Sequence, residues 1–584
     1  MALISFSVWA PKAKRVEVET RGERLRMTAA ENGWWSTEPF SAQPDTDYAF
    51  VLDGGEPLPD PRSPWQPHGI KGPSRVVDHG EFPWTDRRWQ AGPLSGAVLY
   101  EIHIGTFTPE GTFGAAIEKL NDLVQLGITH VELMPIAEFS GSRGWGYDGA
   151  DLYAPHHVYG GPEELKRLID ACHSRGLAVL LDVVYNHLGP AGNYLDRFGP
   201  YFTDRYATPW GRAINFDGSG SDEVRRFFCA NALMWLRDYH FDGLRIDAVH
   251  AIVDTSAVHF LEQLTCEVAD LETQTGRHLV LIAESDLNDP RVIRPQDIGG
   301  YGIHAQWSDD FHHALHCVLS GERGGYYADF GSLADLSKAL QQVFVYDGRY
   351  SGFRQRRHGK PPAGLSGHRF LGYLQNHDQV GNRAKGERSC HLMSLGRLKI
   401  AAALILTSPF IPMLFQGEEW GASSPFMYFT DHEDPELGRA VTEGRRREFA
   451  AFGWKPEDVP DPQARETFER SKLNWNERKT EPHASLLQWH KRLIQLRREI
   501  PALSDGRRER VAVSFDEQAR WFAVRRGPVV VACNLSDVTQ RVPSDRASSS
   551  QLLLASENNV HITHDAVALP SDSVVILGSA ATHE

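Results

Sequence analysis

A chain of 584 residues is longer than one hydrophobic core usually organises, so we expect two to four domains. Its composition, 41% hydrophobic and 23% charged, is typical of a soluble globular protein. The net charge of −15 is spread along the chain. This argues against nucleic acid or an anionic membrane as partner, since either needs a clustered basic face, and it suits a neutral substrate.

The cysteines and the first residues indicate a reducing compartment. The opening sequence, MALISFSVWAPKAKRVEV, lacks the basic region and the small-residue cleavage site of a signal peptide. No apolar run approaches the roughly 20 residues that span a bilayer. We therefore predict a cytoplasmic protein with free thiols, because its cysteines form no Cys-x-x-Cys pair: Cys172, Cys229, Cys266, Cys317, Cys390 and Cys533.

The N-terminal segment has the pattern of short strands. Apolar residues alternate with polar ones, as in Val16 with Val18 and Tyr48 with Phe50, between turns rich in Gly, Asn and Asp. This alternation predicts a small antiparallel β unit. Proline-rich stretches at 57–69 and 83–93 indicate a linker. The first domain with its linker is therefore expected at residues 1–90.

From about residue 97, short apolar runs alternate with amphipathic helical stretches. Two helices are clear, one from Pro162 to Gly176 and one that begins near Ser221. Eight alternations predict a closed (β/α)₈ TIM barrel over residues 91–504, with a doubly wound open sheet as the alternative. The eight candidate strands, each as long as a buried parallel strand, are 97–104, 130–136, 178–185, 241–247, 278–284, 304–307, 370–376 and 410–415.

The helical pattern stops at about residue 505. The segments RVAVSFDE, WFAVRR and VVVACNLS that follow have the character of strands. We predict a C-terminal β-sandwich over residues 505–584. The expected fold class is thus multidomain α/β, with the barrel flanked by β domains.

Polar side chains gather at the carboxyl ends of the predicted strands, where (β/α)₈ enzymes hold their reacting groups. A single acidic residue after a strand is usually a helix cap or a loop brace. Polar residues at five strand ends of one barrel indicate a catalytic site instead: Glu101, His103, Asp182, Asn186, His187, Arg245, Asp247, Glu284, His377 and Asp378.

Three of these residues have the chemistry of a glycosidase that retains anomeric configuration. Arg245 and Asp247 are two residues apart on a strand, so their side chains share a face, and the arginine keeps the aspartate ionised. Glu284 ends the next strand, about 4.8 Å away, which allows the roughly 5 to 5.5 Å separation of a retaining carboxyl pair. Burial beside an ionised aspartate would keep Glu284 protonated as a general acid.

Four motifs containing these residues resemble the conserved regions of the α-amylase family of glycoside hydrolases: DVVYNH (182–187), GLRIDAVH (243–250), LIAES (281–285) and NHDQ (376–379). The resemblance implies that Asp247 is the nucleophile and Glu284 the acid and base. It implies that Asp378 holds sugar hydroxyls and stabilises the transition state. The sugar-binding residues that we expect from it are Tyr147, His187, Arg245, His250, Asp309, Asp310, His312, His313, His377, Gln379 and Asn382.

Longer segments narrow the resemblance within that family. GWGYDGADLYAPHHVYGGPEELKRLIDACHSRG, QWSDDFHHAL and PFIPMLFQGEEWG are similar to the maltooligosyltrehalose trehalohydrolases, and FSVWAPKAKRVEV is similar to the β-sandwich that precedes the barrel in branching and debranching relatives. This implies hydrolysis of the α-1,4 bond next to the terminal trehalose of maltooligosyl trehalose. It also implies a partner synthase that makes this substrate. Ile246 and Ala150 depart from the pattern only in apolar side chains.

Two histidine pairs were candidates for a metal site. His156–His157 and His312–His313 have no third ligand at a recognisable spacing. We therefore expect no metal and no cofactor.

Two other functions remain open from the sequence. A glycogen branching transferase shares the N-terminal domain, the barrel and the carboxylates, but a sugar hydroxyl rather than water attacks its intermediate. New α-1,6 branches on amylose would identify it. A catalytically inactive barrel would bind maltooligosaccharides without turning them over, although the intact carboxylates weigh against this reading.

Overall fold

The computed structural model describes residues 2–42, 45–450, 454–544 and 550–579. Within these ranges no helix combines the length and the apolar character needed to cross a membrane. The N-terminal strands pair antiparallel, as their alternation predicts. These strands are Ala2–Ile4, Ser7–Trp9, Val16–Thr20, Glu23–Arg26, Thr28–Ala29, Trp34–Ser36, Phe40–Ala42, Asp47–Leu52, Pro57–Leu58 and Ser74–Arg75.

Eight parallel strands form a closed barrel, so the barrel prediction is confirmed and the open sheet is excluded. Each candidate segment contains one strand, although the strands are only three to six residues long. The closed order runs from the first strand to the eighth and back to the first. The strands are β1 Leu99–Ile102, β2 His130–Leu133, β3 Ala178–Val183, β4 Gly243–Ile246, β5 Val280–Ala283, β6 Ala305–Trp307, β7 Phe370–Gly372 and β8 Ile411–Phe415.

The register of the barrel sets which polar side chains meet. Asp182 on β3 lies opposite Arg245 on β4, and Glu101 on β1 lies opposite Glu132 on β2. Neighbouring residues on paired strands point the same way and are in side-chain contact. The register therefore places an acidic and basic layer inside the upper end of the barrel.

Helices surround the barrel. The two helices expected from the sequence are present at Gly161–His173 and Ser221–Asp238; the second fully buries Phe228 and Leu236, but Leu233 only partly. The remaining α-helices are Ile104–Phe107, Phe113–Ile117, Leu120–Leu126, Leu195–Phe198, Phe260–Thr275, Asp309–Ser320, Leu333–Gln342, His377–Gly381, Ser389–Leu392, Leu395–Leu406, Pro435–Ala450, Arg465–Ser471 and His483–Glu499.

Three short hairpins extend from the barrel loops. The strand Ala137–Phe139 pairs with Gly149–Pro155 after β2, and Phe202–Thr208 pairs with Gly211–Ile214 after β3. The third hairpin, Tyr350–Ser351 with Arg356–Arg357, lies between β6 and β7. The first two follow carboxyl ends of barrel strands, which is where the walls of a (β/α)₈ active site are built, and the third follows the helix Leu333–Gln342.

The C-terminal strands form two antiparallel sheets, of five and three strands. Side chains alternate along Val529–Asn534: Val530 and Ala532 pack against the smaller sheet, and Val531 and Cys533 join the core that includes the barrel helices. The central strand of the larger sheet is thus buried on both faces, as its continuous apolar run requires. The strands are Val511–Asp516, Trp521–Arg526, Val529–Asn534, Gln540–Pro543, Ser550–Ala555, His561–Ile562, Ala566–Leu569 and Ser573–Ser579.

Candidate active site

A cavity of about 570 Å³ opens at the carboxyl end of the barrel strands. Eleven of the residues expected from the sequence line it: Tyr147, His187, Asp247, His250, Glu284, Asp309, His313, His377, Asp378, Gln379 and Asn382. Three others, Arg245, Asp310 and His312, are buried behind its wall. The remaining lining residues are Trp145, Asp148, Trp210, Ala248, Asp286, Tyr326, Phe353, Arg354, Tyr428 and Thr430.

Arg245 joins three carboxyl groups beneath the cavity. Its Nη1 donates to Asp247 Oδ1 at 2.7 Å and to Asp182 Oδ1 at 2.8 Å, and its Nη2 lies 3.5 Å from Glu284 Oε2. The guanidinium is fully buried and stacks on the Trp307 ring, 4.2 Å from its centroid. A planar guanidinium fixed in this way sets the positions of the two cavity carboxyls relative to each other.

Glu284 is held by the backbone of the turn that follows β4. The Ala248 N–H donates to Glu284 Oε2 at 2.6 Å. Ala248 itself has φ 39° and ψ 51°, a left-handed conformation that is strained for a residue with a Cβ. This strained turn, directly after Asp247, aims the N–H at the second carboxyl.

The environment of Glu284 favours its protonated form. Burial raises its pKa well above the ordinary value. Arg245 opposes this effect, while the nearby Asp247 and Asp378 raise the pKa further. Asp247, in contrast, has a direct ion pair with Arg245 at 2.7 Å. The cavity therefore contains a carboxylic acid beside a carboxylate that is paired with a cation.

Asp378 lies at the start of the short helix His377–Gly381. Its backbone N–H donates to the Asn376 side chain at 2.9 Å, and Asn382 Nδ2 donates to its Oδ1 at 3.3 Å. The side chain is 39% exposed, so one face is free to contact a ligand. Gly381 allows this helix to approach Trp145, because a Cβ there would be 2.0 Å from the indole ring.

His377 is clamped from below by Glu101. The carboxylate accepts the His377 backbone N–H at 3.0 Å and hydrogen-bonds to Nδ1. Burial lowers the pKa of His377, but the charges of Glu101 and Asp378 outweigh it and raise the pKa to about 9. The imidazolium thus presents Nε2 towards Tyr147, 2.7 Å from its hydroxyl.

Tyr147 and His187 form one wall of the cavity. The Tyr147 hydroxyl donates to Asp182 Oδ2 at 2.5 Å, and its ring stacks on His377. His187 Nε2 contacts the Tyr147 carbonyl at 3.0 Å, and its ring stacks on Trp210 with centroids 4.9 Å apart. Burial raises the pKa of Asp182 to about 6 despite Arg245.

The helix Asp309–Ser320 divides the residues that the sequence grouped together. Asp309 faces the cavity and accepts the Tyr373 hydroxyl at 2.6 Å. Asp310 points the other way and accepts two backbone N–H groups, from Val345 at 2.7 Å and from Tyr346 at 2.8 Å. Helix geometry explains this separation, since adjacent helical residues do not share a face.

Two neighbouring histidines of this helix, His312 and His313, are separated in the same way. His313 lines the cavity, whereas His312 is buried with Nε2 3.0 Å from the Tyr327 hydroxyl. Burial lowers the pKa of both rings, that of His313 to about 3. Both are therefore neutral hydrogen-bonding groups near pH 7.

Sequence reasoning missed cavity-lining residues that come from loops and hairpins. Asp286 accepts Arg354 Nη1 at 3.1 Å, and Phe353 beside it is 48% exposed. Arg354 and Phe353 lie on the third hairpin, between its strands Tyr350–Ser351 and Arg356–Arg357, and Trp210 lies at the tip of the second. No periodicity marks such loop residues; an aromatic at a hairpin tip was the only available signal.

Within the described residues, one side-chain group has metal-ligating chemistry: Glu138, His156 and His157. None of the three lines the cavity. The cavity itself offers an acid, an arginine-paired carboxylate, a third acid and aromatic walls. This set is suited to acid-assisted displacement at a neutral sugar.

Comparison with protein families agrees with this geometry. The alpha amylase catalytic domain matches residues 82–206, and a domain of unknown function, DUF3459, matches residues 506–576. A crystal structure of a Salmonella typhimurium protein described as an alpha amylase has a TM-score of 0.91 and 40% identity, and it covers 99% of this chain and 98% of its own.

Two curated relatives extend the match over nearly the whole chain. The malto-oligosyltrehalose trehalohydrolase of Rhizobium sp. (strain M-11) is 49% identical over 98% of this chain and 97% of its own length. That of Mycobacterium tuberculosis (strain ATCC 25618 / H37Rv) is 50% identical over 98% and 99%. With this identity, the closed barrel and the carboxyl-lined cavity, the chain belongs to the malto-oligosyltrehalose trehalohydrolases of the α-amylase family.

Proposed function

We propose that this protein hydrolyses the α-1,4 bond next to the terminal trehalose of maltooligosyl trehalose, with retention of configuration, and releases trehalose. The observation that carries the proposal is that one buried guanidinium, Arg245, contacts both Asp247 and Glu284 at the floor of one cavity. The names of the relatives support the choice of substrate.

In the first step, Asp247 attacks the anomeric carbon and forms a β-glycosyl ester. Glu284 gives its proton to the glycosidic oxygen, which leaves as a hydroxyl of trehalose. In the second step, the Glu284 carboxylate takes a proton from water, the water oxygen bonds to the anomeric carbon, and Asp247 leaves as a carboxylate. Two inversions give net retention. The raised pKa of Glu284 supports its role as the initial acid.

We assign the sugar that is attacked to the side of Tyr147, His187 and His377. The aromatic ring of Tyr147 offers an apolar face, and charged His377 offers an N–H donor. Asp378 lies beside them with its 39% exposed carboxylate, where it can accept sugar hydroxyls. Arg245 acts from below the floor, on the carboxyls and not on the sugar.

We assign the trehalose unit to the side of Asp286, Phe353 and Arg354. An acid that protonates the leaving oxygen must lie next to the leaving group, and Asp286 follows Glu284 by two residues. Phe353 adds an exposed ring for an apolar sugar face. For Asp310 and His312, which are behind the wall, we propose a structural role in place of substrate contact.

Two further proposals concern the setting of the enzyme. Because trehalose-terminated glucan is the substrate, a synthase that converts the reducing end of a glucan into trehalose must supply it. We also propose a cytoplasmic location, since the six cysteines, all in described parts of the chain, are free thiols.

The proposal is tested by incubating the enzyme with maltotriosyl trehalose and, separately, with maltopentaose. We expect free trehalose and maltotriose from the first substrate, and slow attack on the second. Proton NMR during the first turnovers should detect the new reducing end as the α-anomer. Early appearance of the β-anomer would exclude the double displacement, and equal cleavage of both substrates would exclude the trehalose specificity.

A matched assay on amylose addresses the branching alternative. Transfer to a sugar hydroxyl would create α-1,6 linkages, which isoamylase treatment reveals as new short chains. We expect none. Their appearance at a rate comparable to hydrolysis would replace the hydrolase proposal with a transferase.

A further inference from the structure

A cluster of three side chains lies at the base of the loop that carries Tyr147. Glu138 lies on the strand Ala137–Phe139, and His156 and His157 directly follow its partner strand Gly149–Pro155. The hairpin brings the three side chains together, with one ligand atom of each within 4.8 Å of the others. Glu138 is the third ligand that spacing along the chain did not reveal.

The contacts of Glu138 fix its carboxylate between the two rings. Its Oε1 is 2.8 Å from His157 Nδ1, and its Oε2 is 3.3 Å from His156 Nδ1. The backbone N–H of His157 also donates to Oε2 at 2.8 Å. Ligands at 2.0 to 2.2 Å around a tetrahedral ion are about 3.3 to 3.5 Å apart, so the separation at His156 already fits and that at His157 needs a small outward shift.

The buried, unpartnered ring of His156 is the feature that points to a bound ion. Its side chain is fully buried and its ring stacks on Phe139 at 3.8 Å, yet neither ring nitrogen has a hydrogen-bond partner among the described residues. His156 Nδ1 lies 3.3 Å from Glu138 Oε2, but the two atoms are not oriented for a hydrogen bond. A buried polar atom without a partner costs about 1 to 3 kcal/mol. Coordination of His156 by an ion would remove this cost.

The group is also accessible to an ion. His157 keeps 29% of its side chain exposed, which leaves a path for an ion and a place for a water as fourth ligand.

We propose that Glu138, His156 and His157 bind one divalent transition-metal ion of the Zn²⁺ type. Two imidazoles and one carboxylate favour such an ion over Ca²⁺ or Mg²⁺, which prefer oxygen ligands. Because an imidazole nitrogen must be unprotonated to bind the ion, affinity falls as the pH is lowered. The ion is structural, because none of its ligands reaches the sugar cavity.

The position of the site predicts an effect of the ion on the active site. The ion links the ends of the hairpin formed by Ala137–Phe139 and Gly149–Pro155, and the loop inside this hairpin carries Tyr147. Tyr147 contacts Asp182 and His377 in the cavity. Binding should therefore stabilise the fold and keep Tyr147 in place, which lowers KM at high temperature, with little effect on kcat.

The test begins with the full-length protein after dialysis against a chelator. Co²⁺ is titrated in, its visible absorption is followed, and Zn²⁺ is then used to displace it. We expect one ion per chain, a Kd of about 10 µM or lower at pH 8, and a higher Tm with one equivalent of Zn²⁺. This measurement needs no variant. Binding weaker than about 1 mM, or more than two ions per chain with no visible band, would overturn the proposal.

The variant His157→Gln locates the ion, because it removes one ligand from a partly exposed position. We expect it to lose the Zn²⁺-dependent rise in Tm while hydrolysing maltotriosyl trehalose at 25 °C. His278→Gln is the matched control: His278 pairs with Glu272 at 3.0 Å, and neither residue belongs to a group of three metal-ligating side chains among the described residues. An equal Tm rise in His157→Gln and wild type would place the ion elsewhere and overturn the assignment.

Discussion

Glu101 and His377 come from β1 and from the loop after β7, and they meet inside the barrel. The Glu101 carboxylate accepts both the backbone N–H and the Nδ1–H of His377. This pair is fully buried, so its charges interact strongly. It fixes the orientation of the imidazole and, through the backbone, the start of the helix that carries Asp378. Glu101 is buried and does not line the cavity, so we expect it to position His377 and not to contact the substrate.

The variant Glu101→Gln should move the pH dependence of hydrolysis. The amide still accepts one hydrogen bond but removes the charge that raises the His377 pKa to about 9. The imidazole then becomes neutral at a lower pH and no longer donates from Nε2. We expect kcat/KM at pH 8 to fall at least about tenfold, with the basic limb shifted down by one unit or more. Initial rates from pH 5 to 10 measure this.

The same linkage has a defined sign for stability. The folded pKa of His377 lies above the ordinary value of 6.5, so the stabilisation is fully present below pH 6.5 and is lost as the pH rises through about 9. Glu101→Gln should reduce this alkaline loss. The control is Glu419→Gln, a buried glutamate that binds the Tyr100 hydroxyl away from the cavity. An unchanged basic limb in Glu101→Gln, or an equal shift in both variants, would contradict the positioning role.

The variant Glu284→Gln should separate the acid from the nucleophile. It removes the proton donor, a change usually worth about 10² to 10⁴ in rate, while Asp247 keeps its ion pair with Arg245. Loss on maltotriosyl trehalose should therefore be large. Release of fluoride from an α-maltosyl fluoride, whose leaving group needs no proton, should be reduced far less. Burst kinetics of fluoride release measure the first step alone.

Asp247→Asn provides the contrast to this result. Without the nucleophile, activity on both substrates should fall to the same extent, because no ester forms. Equal losses on the two substrates in Glu284→Gln would show that Glu284 is not the acid. Both variants keep the size of the side chain, so binding of maltooligosaccharide checks that the cavity is intact.

The barrel was predictable because a parallel strand buried on both faces must be a continuous apolar run. Each of the eight candidate segments contains a strand, because a run such as AVLLDV can bury the side chains on both of its faces inside a barrel covered by helices. The strands themselves are shorter than the candidate segments. Polar residues such as Asp247 and Glu284, which the candidate segments included, follow the strand ends and belong to the site.

The site residues that follow barrel strands could be predicted from the sequence, whereas those contributed by loops could not. Asp247, Glu284 and His377 follow strand ends, so their meeting is a result of barrel closure. Trp210, Phe353 and Arg354 come from hairpins that no local period specifies. Helical phase explains the remaining difference. The sequence grouped Asp309 with Asp310, but consecutive residues on a helix point about 100° apart, so only Asp309 faces the cavity.

Trp210→Ala should weaken substrate binding more than chemistry. Trp210 is 46% exposed at a hairpin tip and stacks on His187, so its ring is free to pack on a sugar. Loss of one aromatic contact is worth about 0.5 to 1.5 kcal/mol, which corresponds to a rise in KM of about 2- to 10-fold. Steady-state kinetics on maltotriosyl trehalose measure it. Ile298→Ala, at a 65% exposed position outside the cavity, should leave KM unchanged.

Asp310→Asn should mainly reduce stability, whereas Asp309→Asn should mainly affect catalysis, although the two residues are adjacent. Asp310 accepts the N–H groups of Val345 and Tyr346, and an amide turned towards them leaves a buried donor unpaired. We expect a loss of about 1 to 3 kcal/mol in unfolding free energy with an unchanged KM.

Asp309 faces the cavity and is held by the Tyr373 hydroxyl. Asp309→Asn should therefore raise KM or lower kcat with a smaller change in stability. Chemical denaturation and steady-state kinetics on both variants decide the matter. A raised KM in Asp310→Asn with normal stability would return Asp310 to the substrate-binding set and imply that this helix rotates when the sugar binds.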